Sequence, residues 1–152
     1  MTTQQRIIDK YGQPDKTYLA KYCMEWEVQK DFPWFPAKSF FVNKDFQIKL
    51  ASAFSSLQKN NLHTEIKTFD GCYNDRSIRG SGSLSQHAFA MAIDLNASLN
   101  PMVVKPFDKI TPQDRQGKWS GQFIAIMKNA GIFYGGDFSH RPDPMHWGLF
   151  FL

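Results

Sequence analysis

Four residues in the second half of the chain have the types and spacing of a metal-dependent hydrolytic site. His87 precedes Asp94 by seven positions, and Asp143 precedes His146 by three. Two imidazoles and one carboxylate match a catalytic zinc site whose fourth position is open to water. A second carboxylate that does not bind the metal can accept the proton of that water. The pattern indicates a site made of His87, Asp94 and His146, with Asp143 beside it.

Each of these residues also has a purely structural interpretation. A lone histidine on a strand is commonly a core residue, and an acid within an apolar strand can belong to a structural ion pair. His140 is a rival for the last metal ligand. The sequence contains no HExxH, which excludes the helix-borne metalloprotease arrangement. The residues alone therefore leave the metal site as one of two interpretations.

The first pair of polar residues lies in a stretch with strand character. From residue 89 to residue 96, bulky apolar side chains alternate with alanines, and then with Asp94 and Asn96. One face of such a strand is apolar, whereas the other leaves room beside the acid. His87 lies where the chain would enter this strand. A carboxylate on that face is costly unless it is paired or bound to a metal.

The C-terminal stretch, residues 145–151, alternates in the same way. His146 shares a face with Gly148, and Trp147 points to the other face. Pro144 disfavours a helix through Asp143 and His146 and favours an extended or turned entry to the strand. Each polar pair is therefore expected at the entry to a short strand or within it.

Helical periodicity predicts the elements that support these strands. A short helix is expected over residues 3–11, and the clearest helix runs from about Lys44 to Asn60 with Asn43 as N-cap. A further helix fits Ser120 to Ala130, whereas residues 18–28 and 63–69 have strand character. This mixture predicts an α+β fold with a small central antiparallel sheet packed against helices and the metal site on the sheet face.

Composition and charge set limits on the class of protein. The chain has 152 residues, 42% hydrophobic and 15% aromatic, which suits one compact domain. No apolar run is long enough to span a bilayer, and the N-terminus lacks the apolar core of a signal peptide. Cys23 and Cys72 form no CxxC and are expected as reduced core residues. The net charge of +4 favours anionic partners, but no Lys/Arg block points to nucleic acid.

Two motifs in this order resemble those of a known enzyme family. The pattern S-x-H-x-x-(small)-x-A-x-D over residues 85–94 is similar to the first motif of zinc D-alanyl-D-alanine carboxypeptidases and L-alanyl-D-glutamate endopeptidases. Residues 133–138, FYGGDF, and 143–147, DPMHW, look like the second motif. Together the motifs span about residues 71–147. The resemblance implies a small α+β enzyme that cuts peptides of peptidoglycan.

Carried over by position, the resemblance makes His87, Asp94 and His146 the ligands of one zinc ion. It makes Asp143 the catalytic carboxylate. An upstream arginine in this family is thought to hold the substrate carbonyl or the developing oxyanion. That role falls on Arg76, with Arg79 as the alternative.

Two further positions of the first motif carry expectations. Ser85 is either a hydrogen-bonding neighbour of the substrate or a turn residue. The family commonly has glycine where this chain has Ala90, and alanine there would be strained if the backbone needs a positive φ.

The resulting prediction is a phage-type endolysin. We expect residues 1–152 to form a single peptidase domain, a monomer, with residues 1–42 as an N-terminal arm packed on the body. The substrate is expected to be the peptidoglycan stem peptide, cut between L-Ala and D-Glu. The enzyme would be made in the host cytoplasm and would reach the wall after release. The alternatives are a D-Ala-D-Ala carboxypeptidase or dipeptidase, and a non-catalytic, zinc-stabilised wall-binding module.

Overall fold

The computed structural model describes residues 1–75 and 84–151. Arg76 and Arg79 therefore lie outside the described residues. Within the described part the chain forms six α-helices and six β-strands. In chain order they are α1 Thr3–Tyr11, α2 Lys16–Tyr22, β1 Cys23–Trp26, α3 Val28–Asp31, β2 Phe40–Asn43, α4 Lys44–Lys59, β3 Phe69–Gly71, β4 Ala92–Leu95, α5 Pro112–Gln116, α6 Gly121–Asn129, β5 Phe133–Tyr134 and β6 His146–Gly148.

The strands form two antiparallel sheets. β1 pairs with β2, and the other four strands form a sheet in the order β3-β4-β6-β5. β4 and β6, which are far apart in the chain, are therefore neighbours in the middle of the larger sheet. The α+β class and the small antiparallel sheet packed against helices are confirmed.

The long helix α4 supplies the centre of the core. The side chain of Asn43 accepts a hydrogen bond from Phe46 N and caps the helix, as its position in the sequence predicts. The apolar residues at i, i+4, i+8 and i+11 of the helix form a stripe that is fully buried along its whole length. Burial of each of its side chains stabilises the fold by roughly 1.5–3 kcal/mol. Its members are Phe46, Leu50, Phe54 and Leu57.

The second predicted helix is also present, as α6. The Ser120 side chain accepts from Phe123 N at its start, and the chain leaves the helix through Gly131, whose φ is +87°. Phe123 and Met127 are fully buried, whereas Ile126 is only partly buried. Phe123 and Met127 thus form the fully buried face of the helix, and Ile126 packs at its edge.

Two of the predicted strand stretches are wrong in part. The Asp15 side chain accepts from Tyr18 N and caps α2, so the helix takes up residues 16–22 and leaves only Cys23–Trp26 for β1. In the second stretch His63–Glu65 forms a 3-10 turn, and β3 begins only at Phe69. Local capping and turn formation thus shorten both strands.

Phe35, in the N-terminal part of the chain, and both cysteines belong to the interior. Phe35 is buried, and its ring lies 5.2 Å from that of Phe54 in α4. Cys23 and Cys72 are buried and not bonded to each other, as predicted. Among the described helices, none combines the length and the apolarity needed to cross a bilayer.

Candidate metal centre

Three side chains from two strands and one turn converge at the middle of the larger sheet. Asp94 on β4 lies directly opposite His146 on β6, so both side chains point to the same face. His87 comes from the 3-10 turn Gln86–Phe89. One ligand atom from each residue lies within 4.8 Å of the other two. The structure thus brings together the three residues that the sequence predicts as ligands.

The carboxylate of Asp94 lies between the two imidazoles. His87 Nε2 is 3.3 Å from Asp94 Oδ2, and His146 Nδ1 is 3.7 Å from Asp94 Oδ1. Both histidines are buried, and the Asp94 side chain is 13% exposed. Asp94 Oδ1 has no hydrogen-bond partner among the described residues. A carboxylate in this position is costly unless a cation lies beside it, so the donors fit a zinc ion with three protein ligands.

The backbone of Cys72 fixes the orientation of the His87 ring. His87 Nδ1 is 2.7 Å from Cys72 O. Because a carbonyl oxygen can only accept, Nδ1 carries the proton and donates it. Nε2, the nitrogen nearer Asp94, is then left with its lone pair. This is the tautomer that a zinc-binding histidine needs, held in place by a hydrogen bond behind it.

The segment between His87 and Asp94 is not the continuous strand that the alternation predicts. Ser85 Oγ accepts from His87 N and begins the 3-10 turn, which ends at Ala90 with φ 54° and ψ 34°. The strand itself starts only at Ala92. Ala90 therefore has the positive φ at which the sequence analysis expects strain for alanine. Glycine adopts this left-handed conformation at least cost.

Ser85 therefore acts through the backbone of the turn. Its hydroxyl caps the residue that carries the imidazole, which matches the turn-residue interpretation of the sequence. No contact with a substrate is needed to explain it. Its role as a substrate neighbour remains a prediction.

Gln86 and Gly148 close the metal face of the sheet beside the ligands. The Gln86 amide donates to Phe150 O at 2.9 Å and accepts from Phe150 N at 3.2 Å. A Cβ at Gly148 would lie 3.0 Å from Gln86 Oε1 and 3.3 Å from His146 Nε2. Glycine at this position thus allows the turn and the strand to approach each other.

Asp143 begins a turn that ends on His146, the last candidate ligand. Its backbone oxygen accepts from His146 N at 2.9 Å, and its own N–H donates to Gly135 O at 2.8 Å. A Cβ at Gly135 would lie 2.3 Å from Asp143 O and 2.7 Å from His146 Cβ. Only glycine permits this close packing. The backbone of the half-buried Asp143 is thereby fixed to that of His146, and Asp143 is not one of the three clustered residues.

The remaining polar residues near the motifs make other contacts. His140 lies against the ring of Phe107 at 4.8 Å and is not part of the ligand cluster. Asp137 pairs with Lys128 at 2.7 Å on the surface. Neither residue supplies a ligand, so the predicted set of three is unchanged.

Sequence reasoning did not find two contributors to the site. The Cys72 carbonyl orients His87, but any residue at position 72 would offer the same oxygen, so no sequence signal exists. Gln86 was visible as a polar residue beside a predicted ligand. Its bonds to Phe150 depend on a chain segment 64 residues away, and spacing alone does not reveal them.

Comparison with known proteins agrees with this geometry. Residues 79–149, just under half of the chain, match the family model described as D-alanyl-D-alanine carboxypeptidase. No curated protein and no solved structure gave a significant match. The matched range contains all three candidate ligands and Asp143. The match supports this family of metallopeptidases for the part of the chain that forms the site.

Proposed function

We propose that the protein is a zinc-dependent peptidase that hydrolyses a stem-peptide bond of peptidoglycan, between L-Ala and D-Glu. The observation that carries the proposal is the convergence of His87, Asp94 and His146, whose ligand atoms lie within 4.8 Å of one another. The family match over residues 79–149 supports the peptidase class independently. The choice of bond comes from the resemblance of the motifs to endolysin-type enzymes.

Each residue of the proposed site would have a separate role in hydrolysis. Zinc, when bound by the three ligands, would act as a Lewis acid that lowers the pKa of a water and polarises the scissile carbonyl. Asp143 would take the proton from the attacking water and deliver it to the leaving amine. The backbone hydrogen bonds that join Asp143 to Gly135 and His146 support this role, because they fix Asp143 relative to a candidate ligand. No serine or cysteine nucleophile is required.

An arginine would share the negative charge that develops on the carbonyl oxygen. By resemblance this is Arg76, with Arg79 as the alternative; both lie outside the described residues. A guanidinium at this place would donate to the oxyanion more strongly than to the ground-state carbonyl. Exchange of each arginine for lysine, with kcat and KM measured separately, distinguishes the two.

The biological setting of the proposal is that of a phage-type endolysin. We propose that residues 1–152 act as one peptidase domain and as a monomer, made in the host cytoplasm and acting on the wall after release. The net charge of +4 supports approach to an anionic envelope. The positive charge is spread along the chain, which favours a wall polymer over nucleic acid as partner.

A second candidate within the same chemistry is removal of the terminal D-Ala. The description of the matched family, D-alanyl-D-alanine carboxypeptidase, favours it. The same ligands and the same base would serve both reactions, so only the bond differs. A non-catalytic, zinc-stabilised wall-binding module is disfavoured, because a structural zinc site normally has four protein ligands and needs no carboxylate beside it.

The test is digestion of purified peptidoglycan, with the released muropeptides read by mass spectrometry. It is run with the protein as isolated, with a chelator, and with zinc added back. A new N-terminal D-Glu that disappears with chelator and returns with zinc is the expected result. Loss of terminal D-Ala instead would move the enzyme to the carboxypeptidase reaction. Intact muropeptides despite bound zinc would overturn the peptidase proposal.

A further inference from the structure

We propose that Tyr18 and Asn43, from the N-terminal part of the chain, are positioning residues for the metal centre. They hold the carbonyl groups of Phe89 and Ala90, which form the backbone between two candidate ligands. The inference rests on the proposed function, because it concerns the geometry of the same site. Neither side chain belongs to the ligand cluster.

The Tyr18 hydroxyl makes the first of these contacts. It donates to Phe89 O at 2.6 Å in a buried environment. Phe89 is the last residue of the 3-10 turn that carries His87. Burial raises the pKa of Tyr18 well above its usual value, so the hydroxyl keeps the proton that it donates. The Tyr18 ring also packs edge-on against the ring of Phe89, at 5.6 Å.

Asn43 connects this hydroxyl to the next carbonyl. Its Nδ2 donates to Tyr18 Oη at 3.1 Å, and its backbone N–H donates to Ala90 O at 2.9 Å. Its Oδ1 accepts from Phe46 N and caps α4. Asn43 is fully buried, and each of these three polar groups has a partner. It therefore fixes the turn relative to the longest helix of the core.

The position of these carbonyls explains why the contacts bear on the ligands. Ala90 is left-handed, and only after it does the chain extend into β4 toward Asp94. An L-residue resists this conformation, so outside support is needed to keep it. Two consecutive carbonyls held from one side set the direction in which the chain leaves the turn. That direction determines how far His87 lies from Asp94.

The contacts of Tyr18 exclude a direct role for its hydroxyl in the reaction. Tyr18 is buried and its hydroxyl is used on one side by a carbonyl and on the other by an amide. The role is therefore geometric. Loss of the hydroxyl should change the affinity of the site for metal, not merely the stability of the core.

The experiment measures zinc affinity of the full chain by competition with a chromophoric chelator. Tyr18→Phe removes the hydroxyl and keeps the ring. We expect its zinc Kd to rise about 3- to 10-fold, which is less than the roughly 10- to 100-fold loss for a residue that bonds directly to a metal ligand, because Tyr18 acts through the backbone. The absorption bands of the cobalt-substituted protein should shift as well, because the ligand geometry changes.

The matched control is Tyr11→Phe, which removes a hydroxyl from the same aromatic cluster. Tyr11 lies 6.1 Å from Tyr18 ring to ring, but its hydroxyl donates to Asp45 and not to the turn. Its zinc Kd and cobalt spectrum should match the unsubstituted protein. If Tyr18→Phe does not fold, Asn43→Ser, which keeps a helix-capping oxygen and removes Nδ2, takes its place with the same expectation.

The outcomes separate this inference from the function on which it rests. If the unsubstituted protein binds no zinc, the proposed function and this inference both fail. If it binds zinc and Tyr18→Phe binds it with the same Kd and the same cobalt spectrum, the metal centre stands and the positioning role is overturned. A raised zinc Kd in both Tyr18→Phe and Tyr11→Phe would also overturn the positioning role, since a general loss of core packing would then explain the effect.

Discussion

The two faces of the four-stranded sheet differ in what they do, although the same strands supply both. On one face Asp94 lies opposite His146, and Ala92 lies opposite Gly148. This face therefore carries two polar residues and two of the smallest side chains. Small neighbours leave space beside the donors, but they contribute little apolar burial.

The opposite face of the same strands is an aromatic core. Trp147 lies between Ile93 and Tyr134 in the sheet register, and its ring stacks on that of Tyr134 at 4.4 Å. Phe123 of α6 packs against Trp147 at 5.7 Å and against Trp119 at 4.3 Å. Because side chains alternate along a strand, the candidate ligands lie on one face of the sheet and the aromatic core lies on the other. Substitutions on the two faces should have separable effects.

The largest combined effect, on both zinc binding and hydrolysis, is expected from Asp94→Asn on the metal face. The neutral amide is a poor zinc ligand, so zinc binding and hydrolysis should each fall on the order of 1,000-fold. The stability of the metal-free protein should stay the same or rise, because a buried charge is removed. Zinc content, turnover and urea unfolding measure the three quantities.

Asp70→Asn is the matched control for this substitution. Asp70 lies on β3, the strand next to β4, but it is exposed and accepts hydrogen bonds from Thr68 and Ala97 N. Zinc binding and turnover should be unchanged in this variant. Zinc bound at full stoichiometry by Asp94→Asn would contradict the assignment of that ligand.

Asp143→Asn should remove catalysis and leave the metal in place. General acid–base groups contribute typically 100- to 10,000-fold, so turnover should fall by about that factor. Zinc content should not change, because Asp143 is outside the ligand cluster. Asp137→Asn, an exposed carboxylate paired with Lys128, serves as the control and should keep full turnover. Full activity in Asp143→Asn would show that another group is the base.

Phe123→Ala, on the core face, should lower the stability of the fold and leave zinc binding almost unchanged. Removal of this fully buried ring should lower the free energy of unfolding by about 3–5 kcal/mol. Zinc affinity, measured at a temperature where the variant is folded, should change by less than about threefold, because the ring contacts the opposite face of the sheet. Ile48→Ala, at a side chain that is 65% exposed, should cost less than about 0.5 kcal/mol. A large loss of zinc affinity in Phe123→Ala would show that the two faces are coupled.

The sequence predicts which candidate ligands come together better than it predicts the backbone that carries them. Asp94 and His146 were found because strand alternation has a period of two, and the period survives in β4 and β6. The stripe on α4 was found for the same reason, with a helical period. Where a regular period covers the whole element, the side-chain direction follows directly from the spacing.

The turn before β4 could not be predicted in the same way. The alternation of residues 89–96 continues through Ala90, so it hides a change of conformation at that position. The left-handed backbone there is held by contacts with Tyr18 and Asn43, which lie more than 40 positions earlier in the chain. The alternation also gives no sign of the hydrogen bond between His87 and the Cys72 carbonyl. Contacts of this kind depend on tertiary packing and leave no local pattern.

The smallest effect is expected where the turn meets the strand, from a comparison of Ala90→Gly with Ala92→Gly. Both alanines are fully buried, but among the described residues only Ala90 of the two has a positive φ. Each substitution loses about 0.8 kcal/mol of methyl burial and roughly 0.5–1 kcal/mol through the flexibility of glycine. Ala90→Gly also regains about 1–2 kcal/mol of left-handed strain. The free energy of unfolding should thus be almost unchanged in Ala90→Gly and about 1–2 kcal/mol lower in Ala92→Gly, measured by urea unfolding of the metal-free protein. Equal losses in the two variants would mean that Ala90 carries no strain and that the turn needs no support from the N-terminal residues.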